Sequence, residues 1–139
     1  MEEVRIDDIL CAIIIDASYD QPGITFFTDP KLSQQLGSMS YRAGKIIRAH
    51  THNATERVVH MTQEALFIRR GRLRVDFYDV RHICRSSRVL SAGDVILLIA
   101  GGHGFQVLED LNMIEVKQGP YAGDQDKIVF EPLLRASEC

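Results

Sequence analysis

The residues best suited to chemistry in this sequence are two histidines, His50 and His52, which a single threonine separates. If they belong to a β-strand, side chains two positions apart point to one face, and both imidazoles can reach one metal ion. Neutral imidazole is the commonest metal ligand in proteins near neutral pH. A histidine on a strand can equally be a packed or a surface residue, so a metal site needs further ligands.

Two more candidate ligands follow along the chain. Glu64 begins the segment 64–71, and a carboxylate at the start of a neighbouring strand can complete the set. His103 lies between Gly102 and Gly104, and glycines allow the backbone to turn sharply and approach a ligand closely. Three imidazoles and one carboxylate suit iron, manganese, nickel or zinc, and the ligand types do not choose among these metals. The sequence therefore predicts one divalent transition metal, held by His50, His52, Glu64 and His103.

Three other side chains are candidate substrate-binding residues. Arg48 has the same strand parity as the histidines, so its guanidinium could bind a carboxylate or phosphate, or could pair with an acid at the pocket mouth. Lys117 shares one face of the last core strand with Glu115, and that face points either into the pocket or to solvent. Tyr121 follows a Gly-Pro pair and either closes the pocket mouth with its hydroxyl or packs against its end. No catalytic residue is assigned.

The elements that must position these residues are short strands. Leu73, Val75 and Phe77 alternate with polar residues, which is typical of a strand with two different faces. Gly71 is predicted to form a hairpin turn, and the segment 110–112 a second turn. The segment 29–35 is predicted as one short helix, because Pro30 suits a first helical position. Many short strands at close spacing predict an all-β sandwich or closed barrel with little helix.

Length and composition indicate one ordinary globular domain. The chain has 139 residues, of which 45% are hydrophobic and 25% are charged, so disorder is not expected. The net charge of −3 and the absence of a Lys/Arg block argue against nucleic-acid binding. The apolar run Ile9–Ile15 is too short to cross a membrane and lacks the flanks of a signal peptide, so it is predicted to be a buried strand.

The cysteine content favours a reducing compartment. The chain has three cysteines, an odd number, and none of them is spaced as in a metal motif: Cys11, Cys84 and Cys139. Reduced thiols in a cytoplasmic protein explain this pattern better than a disulfide framework does.

Two segments resemble the motifs of the cupin family. The segment 44–71 is similar to the first cupin motif: Gly44, five residues, His50, one residue, His52, a gap, Glu64, six residues and Gly71. The segment 93–107 is similar to the second motif, with His103 as the fourth ligand. The resemblance implies a double-stranded β-helix, a jelly-roll-like barrel. We expect a single domain over residues 1–139, with its motif-bearing core at about 38–117 and with the N-terminal strands and C-terminal tail packed on it.

The sequence departs from the cupin pattern at several positions. Eleven residues separate His52 from Glu64, where the family usually has only a few, so Glu56 competes with Glu64 for the carboxylate role. Glu64 is preferred because Gly71 follows it at the expected distance. His60 has the same strand parity as Glu64 and is an alternative ligand. In the second motif His103 comes one residue early.

The resemblance also implies functions. The segment 116–121, with Asp126 and Lys127 beyond it, is similar to a subgroup of small cupins, and cupins of this size are associated with sugar-nucleotide and surface-polysaccharide pathways. We expect a metal-binding protein that acts on, or only binds, a small anionic or polyhydroxylated metabolite. If it is an enzyme, a metal-dependent isomerase, lyase or dioxygenase is implied, and a scaffolding role is the third alternative. Apolar runs at 10–15 and 24–27 predict a homodimer.

Overall fold

The computed structural model describes residues 1–133 and 139, and these residues form two compact units. We call Met1–Ala17 with Met61–Cys139 the sheet unit, and Ser18–His60 the hairpin unit. Among the described residues the regular structure is almost entirely β, and the helical part is a short 3-10 turn at Gly123–Asp126. The prediction of an all-β fold is therefore confirmed.

The described residues of the two units contain eight strands. The hairpin unit contains one antiparallel pair, formed by β3 (Gly23–Phe26) and β4 (Gly37–Ser40). The sheet unit contains a six-stranded sheet, with β1 (Glu2–Ile6), β2 (Ile9–Ile15), β5 (Glu64–Tyr78), β6 (Cys84–Ser91), β7 (Val95–Leu98) and β8 (Gly102–Lys117).

Strand β5 organises the sheet, because it pairs with three other strands. Its first residues pair with β7, its second half pairs with β6, and β8 pairs along its whole length. Strands β2 and β1 continue the sheet beyond β7. All pairings are antiparallel, and the sheet curls into a half-barrel.

The concave side of this sheet carries the hydrophobic core. Strand β2 is buried from Cys11 to Ile15, which confirms the prediction of a buried strand for the N-terminal apolar run. The β5 side chains that belong to this core are Leu66 and Ile68 in the first half, and Leu73, Val75 and Phe77 in the second half. Each such side chain stabilises the fold by about 1.5–3 kcal/mol through burial of apolar surface.

The change from even to odd inward positions on β5 occurs at Gly71. The residue has φ of +85°, and the pairing with β8 is irregular between Ile68 and Leu73. A β-bulge of this kind bends a strand and changes which side chains face inward. The predicted hairpin turn at Gly71 is therefore wrong, because β5 continues through the bend.

The predicted turn at 110–112 is wrong for the same reason. Strand β8 runs without interruption from Gly102 to Lys117, and its residues near Asp110 lie opposite Gly71. A Cβ atom on Gly71 would collide with the carbonyl oxygen of Asp110. The two turn signals of the sequence thus belong to one bend, which the paired strands β5 and β8 share.

The predicted helix at 29–35 is also wrong. The backbone amide of Lys31 donates a hydrogen bond to the Asp29 carboxylate at 2.8 Å. The side-chain amide of Gln35 donates to the Asp29 carbonyl oxygen at 2.9 Å. Side-chain bonds of this kind offer the backbone an alternative to helical pairing. The segment therefore forms turns that connect β3 to β4.

The cysteines differ from the expected three free thiols. A disulfide joins Cys84 to Cys139, whereas Cys11 is a free thiol buried in the core. Burial raises the pKa of the Cys11 thiol, which keeps it protonated. The expectation that all three cysteines are reduced is therefore wrong for Cys84 and Cys139. Within residues 1–133 and 139, no helix is long and apolar enough to cross a membrane.

We predict that Gly71→Ala destabilises the sheet unit by about 2–4 kcal/mol, because the new methyl group meets both a positive φ and the Asp110 carbonyl. Gly123→Ala is the matched control, since Gly123 has φ of +64° with open space around its Cα. Its cost should be about 1 kcal/mol. Urea denaturation measures both free energies of unfolding. Equal costs for the two variants would show that the Asp110 contact is unimportant.

Candidate metal and ligand site

A cavity of about 700 Å³ lies in the sheet unit, between β5, β8 and the chain that follows β8. Four of the seven predicted site residues line it: Glu64, His103, Lys117 and Tyr121. The other lining residues are Thr62, Phe105, Glu115, Gly123, Asp126 and Lys127. The cavity therefore brings together a carboxylate and an imidazole that the sequence predicted as ligands of one metal ion.

Strand β5 supplies Glu64 at its first position, as the sequence predicted. Strand β8 pairs Lys117 with Glu64 at one end and His103 with Phe77 at the other. Glu64 and Phe77 are 13 positions apart, a distance of roughly 40 Å in a straight strand. His103 nevertheless contacts Glu64, because the bend at Gly71 and Asp110 folds the paired strands back toward their own start.

The charged side chains of the cavity form a connected chain. Nε2 of His103 lies 3.3 Å from Oε2 of Glu64, and Nζ of Lys117 lies 3.8 Å from Oε1 of Glu64. The same Nζ lies 3.7 Å from Oδ2 of Asp126, whose Oδ1 accepts a hydrogen bond from the Thr62 hydroxyl at 3.0 Å. The side chain of Glu64 is 18% exposed and that of His103 is 31% exposed, so both are partly shielded from water.

These neighbours hold the pKa of Glu64 below its usual value of 4.5. The largest cause is the hydrogen bond from His103. Burial of the carboxylate opposes it, and the charges of His103 and Lys117 add to the lowering. Glu64 is therefore ionised at neutral pH, which is the protonation state that a metal ligand must have.

Carboxylates outnumber ammonium groups along the cavity wall. When the His103 imidazole is neutral, as a metal ligand must be, Glu64, Glu115 and Asp126 contribute three negative charges, whereas Lys117 and Lys127 contribute two positive charges. An excess of negative charge in a partly enclosed cavity attracts a cation. The cavity without a metal is accordingly better suited to a divalent ion than to an anion.

Two aromatic side chains complete the wall. The ring of Phe105 lies beside His103, with a distance of 5.3 Å between the ring centroids. The Lys117 ammonium lies 5.4 Å from the centroid of the Tyr121 ring, which is itself mostly exposed. Tyr121 therefore stands at the cavity mouth, and its contact with Lys117 is of the cation–π type.

Three predicted site residues belong to the hairpin unit: Arg48, His50 and His52. All three are exposed, and within the described part of the chain residues 41–63 form no strand. The strand geometry assumed for the two histidines is therefore wrong. Their rings are nevertheless close, with centroids 5.3 Å apart, and Nδ1 of His50 lies 2.9 Å from the Arg48 carbonyl oxygen.

Sequence reasoning missed three polar residues of the cavity as site residues. Asp126 and Thr62 lie outside the strands, and the period-two pattern identifies only residues within a strand. Glu115 could have been found, because it shares strand parity with His103 and Lys117 across β8. The open question of where Glu115 and Lys117 point is answered, since both line the cavity.

Comparisons with known protein families, with curated proteins and with solved structures find no significant match to this chain.

We predict that Glu64 makes stability depend on pH. A carboxylate with a lowered folded-state pKa stabilises the fold above its unfolded pKa, and this contribution is lost as the pH falls through the folded value. The free energy of unfolding of wild type minus that of Glu64→Gln should therefore shrink as the pH falls below about 4.5.

Glu56→Gln is the matched control, because it makes the same chemical change on an exposed side chain of the hairpin unit. Urea denaturation across this pH range gives both differences. A flat profile for Glu64→Gln would contradict the described contact with His103.

Proposed function

We propose that the protein binds one divalent transition-metal ion at Glu64 and His103 and, through that ion, a small polyhydroxylated or anionic metabolite in the adjoining cavity. The observation that carries the proposal is the 3.3 Å separation between Nε2 of His103 and Oε2 of Glu64 inside a cavity with excess negative charge. The cupin interpretation of the sequence motifs agrees with this proposal.

The separation of the two donor atoms suits a shared ion. Metal–nitrogen and metal–oxygen bonds are close to 2.1 Å, so two ligands of one ion lie roughly 3–3.5 Å apart. The atoms of His103 and Glu64 already have this spacing, and Glu64 is ionised. A metal would replace the proton that His103 shares with Glu64, so metal binding and this hydrogen bond exclude each other.

The remaining cavity residues suit an oxygen-rich ligand. A bound divalent ion can polarise a carbonyl or hydroxyl oxygen of such a molecule. Lys117 can donate to an anionic oxygen, whereas Glu115 and Asp126 can accept hydrogen bonds from hydroxyl groups. Phe105 supplies an apolar surface for a carbon skeleton. Among these residues the acceptors outnumber the ammonium groups, which favours hydroxyl groups over several negative charges.

His50 and His52 remain predicted ligands of the metal, on the basis of their spacing in the sequence and the cupin resemblance. The anion-binding role of Arg48, the cytoplasmic location and the homodimer are likewise proposals. A catalytic activity is not part of the proposal, since metal and metabolite binding are common to the enzyme and the non-catalytic binding module.

We predict that Glu64→Gln and His103→Ala each weaken Mn²⁺ or Ni²⁺ binding by at least about tenfold, because each removes a donor atom from the ion. Isothermal titration of the protein in non-reducing buffer measures the affinity. Glu56→Gln should bind as wild type does, and the reverse result would reassign the carboxylate. The variant His50→Ala with His52→Ala tests the hairpin-unit ligands, and unchanged metal affinity would remove them from the site.

We predict that Lys117→Gln has opposite effects on metal and on anionic ligands. Removal of the ammonium group near Glu64 and Asp126 should tighten metal binding, because it removes a repulsive charge. The same change should weaken stabilisation of the metal-loaded protein by keto acids and sugar phosphates, but not by neutral sugars. Thermal-shift measurements with these compounds check the prediction, and Arg48→Ala shows whether Arg48 contributes. If Lys117→Gln reduced the stabilisation by neutral and by anionic compounds equally, a charge-specific role of Lys117 would be excluded.

A further inference from the structure

A second group of potential metal ligands lies in the sheet unit and shares no residue with the pair formed by Glu64 and His103. Cys84 begins β6, Asp76 lies near the end of β5, and Cys139 is the last residue of the sequence. One ligand atom from each of these three residues lies within 4.8 Å of the other two. Asp76 and Cys84 are buried, with exposures of 3% and 6%.

We propose that Asp76, Cys84 and Cys139 form a redox-controlled site for a thiophilic divalent cation such as Zn²⁺. In the oxidised protein the two sulfur atoms are joined, as the structure shows, and they cannot bind the ion. In the reduced protein the two thiolates and the Asp76 carboxylate bind it, and one coordination position stays open to water.

The spacing of the ligand atoms suits tetrahedral coordination. Zinc–sulfur bonds of about 2.3 Å and zinc–oxygen bonds of about 2.0 Å place ligand atoms roughly 3.3–3.8 Å from one another. The three atoms lie within 4.8 Å, so side-chain rotations of Cys84 and Cys139 after reduction suffice. Cys84 is held in place by its pairing with Tyr78 on β5.

The neighbouring turn makes the position of Cys84 rigid. The Asp79 carboxylate accepts hydrogen bonds from the amides of Arg81 and Ile83, at 2.8 and 3.0 Å. It also forms an ion pair with Arg85 at 2.7 Å. Both ends of the connection between β5 and β6 are therefore fixed.

Charge balance explains why the cation would bind only after reduction. Nε of Arg74 lies 2.7 Å from Oδ1 of Asp76, so in the oxidised protein these two charges neutralise each other beside an uncharged disulfide. Two thiolates, one carboxylate, one guanidinium and one divalent cation also sum to zero. Without the cation, two thiolates beside a buried carboxylate would be strongly disfavoured, and the thiols would stay protonated.

Reduction of the disulfide between Cys84 and Cys139 is balanced when a dithiol is the reductant. The dithiol transfers two electrons and two protons to the bond between Cys84 and Cys139, and is itself oxidised to a cyclic disulfide. The Zn²⁺ ion then displaces the two thiol protons, which pass to solvent. Both the disulfide and the metal therefore attach Cys139 to β6, and only the reduced, metal-free protein lacks this attachment.

Titration of the reduced full-length protein with Co²⁺ tests the proposal, because thiolate–Co²⁺ coordination gives an intense charge-transfer absorption that imidazole and carboxylate ligands do not give. We expect this absorption to saturate at one Co²⁺ per chain, to disappear on addition of Zn²⁺ and to be absent from the oxidised protein. Absence of the absorption from the reduced protein would overturn the proposal.

Variants identify the ligands. Cys139→Ser should abolish the absorption, whereas Cys11→Ala should retain it. Asp76→Asn should retain the absorption but weaken Co²⁺ binding by about tenfold. Absorption that persists in Cys139→Ser, or an unchanged affinity in Asp76→Asn, would overturn the three-ligand site. Glu64→Gln and His103→Ala should leave the absorption unchanged. A failure of the three-ligand site is therefore distinguishable from a failure of the proposed metal site at Glu64 and His103.

Discussion

The candidate site depends on one bend in a pair of strands. Strands β5 and β8 run together for their whole length, and a straight pair would hold Glu64 and His103 at opposite ends. The positive φ of Gly71 and its close approach to Asp110 bend the pair, so that a carboxylate from one end meets an imidazole from the other. The same bend contributes to the curl of the sheet over its core, so the fold and the site share one constraint.

The position of the polar cavity beside this core explains its chemistry. Leu66 and Glu64 lie on the same face of β5, one buried in the core and the other at its margin. At that margin the carboxylate is partly shielded, yet His103 and Lys117 keep it charged. A charged group that is shielded but accessible can exchange one partner for another, which a fully buried ion pair does only at a large cost in free energy.

Local sequence patterns predicted the strands well and the long-range geometry less well. The alternation at Leu73 and Val75 and the apolar run in β2 identified buried strands, since burial on one or both faces has a direct periodic signature. Glycine at position 71 has no such unique meaning, because a positive φ serves a hairpin turn and a bulge equally. The roles of Asp126 and Cys139 depend on contacts between distant parts of the chain, which no local pattern encodes.

The pairing of β5 with three strands also has a consequence for how the chain folds. Strand β8 lies 38 or more positions after the start of β5, so their contacts close long loops whose entropy must be lost before any pairing energy is gained. Folds dominated by such non-local contacts fold slowly. During synthesis one edge of β5 stays unpaired until residue 117 has left the ribosome. The most central strand of the sheet therefore keeps an edge exposed to other nascent chains until the last strand of the sheet has been made.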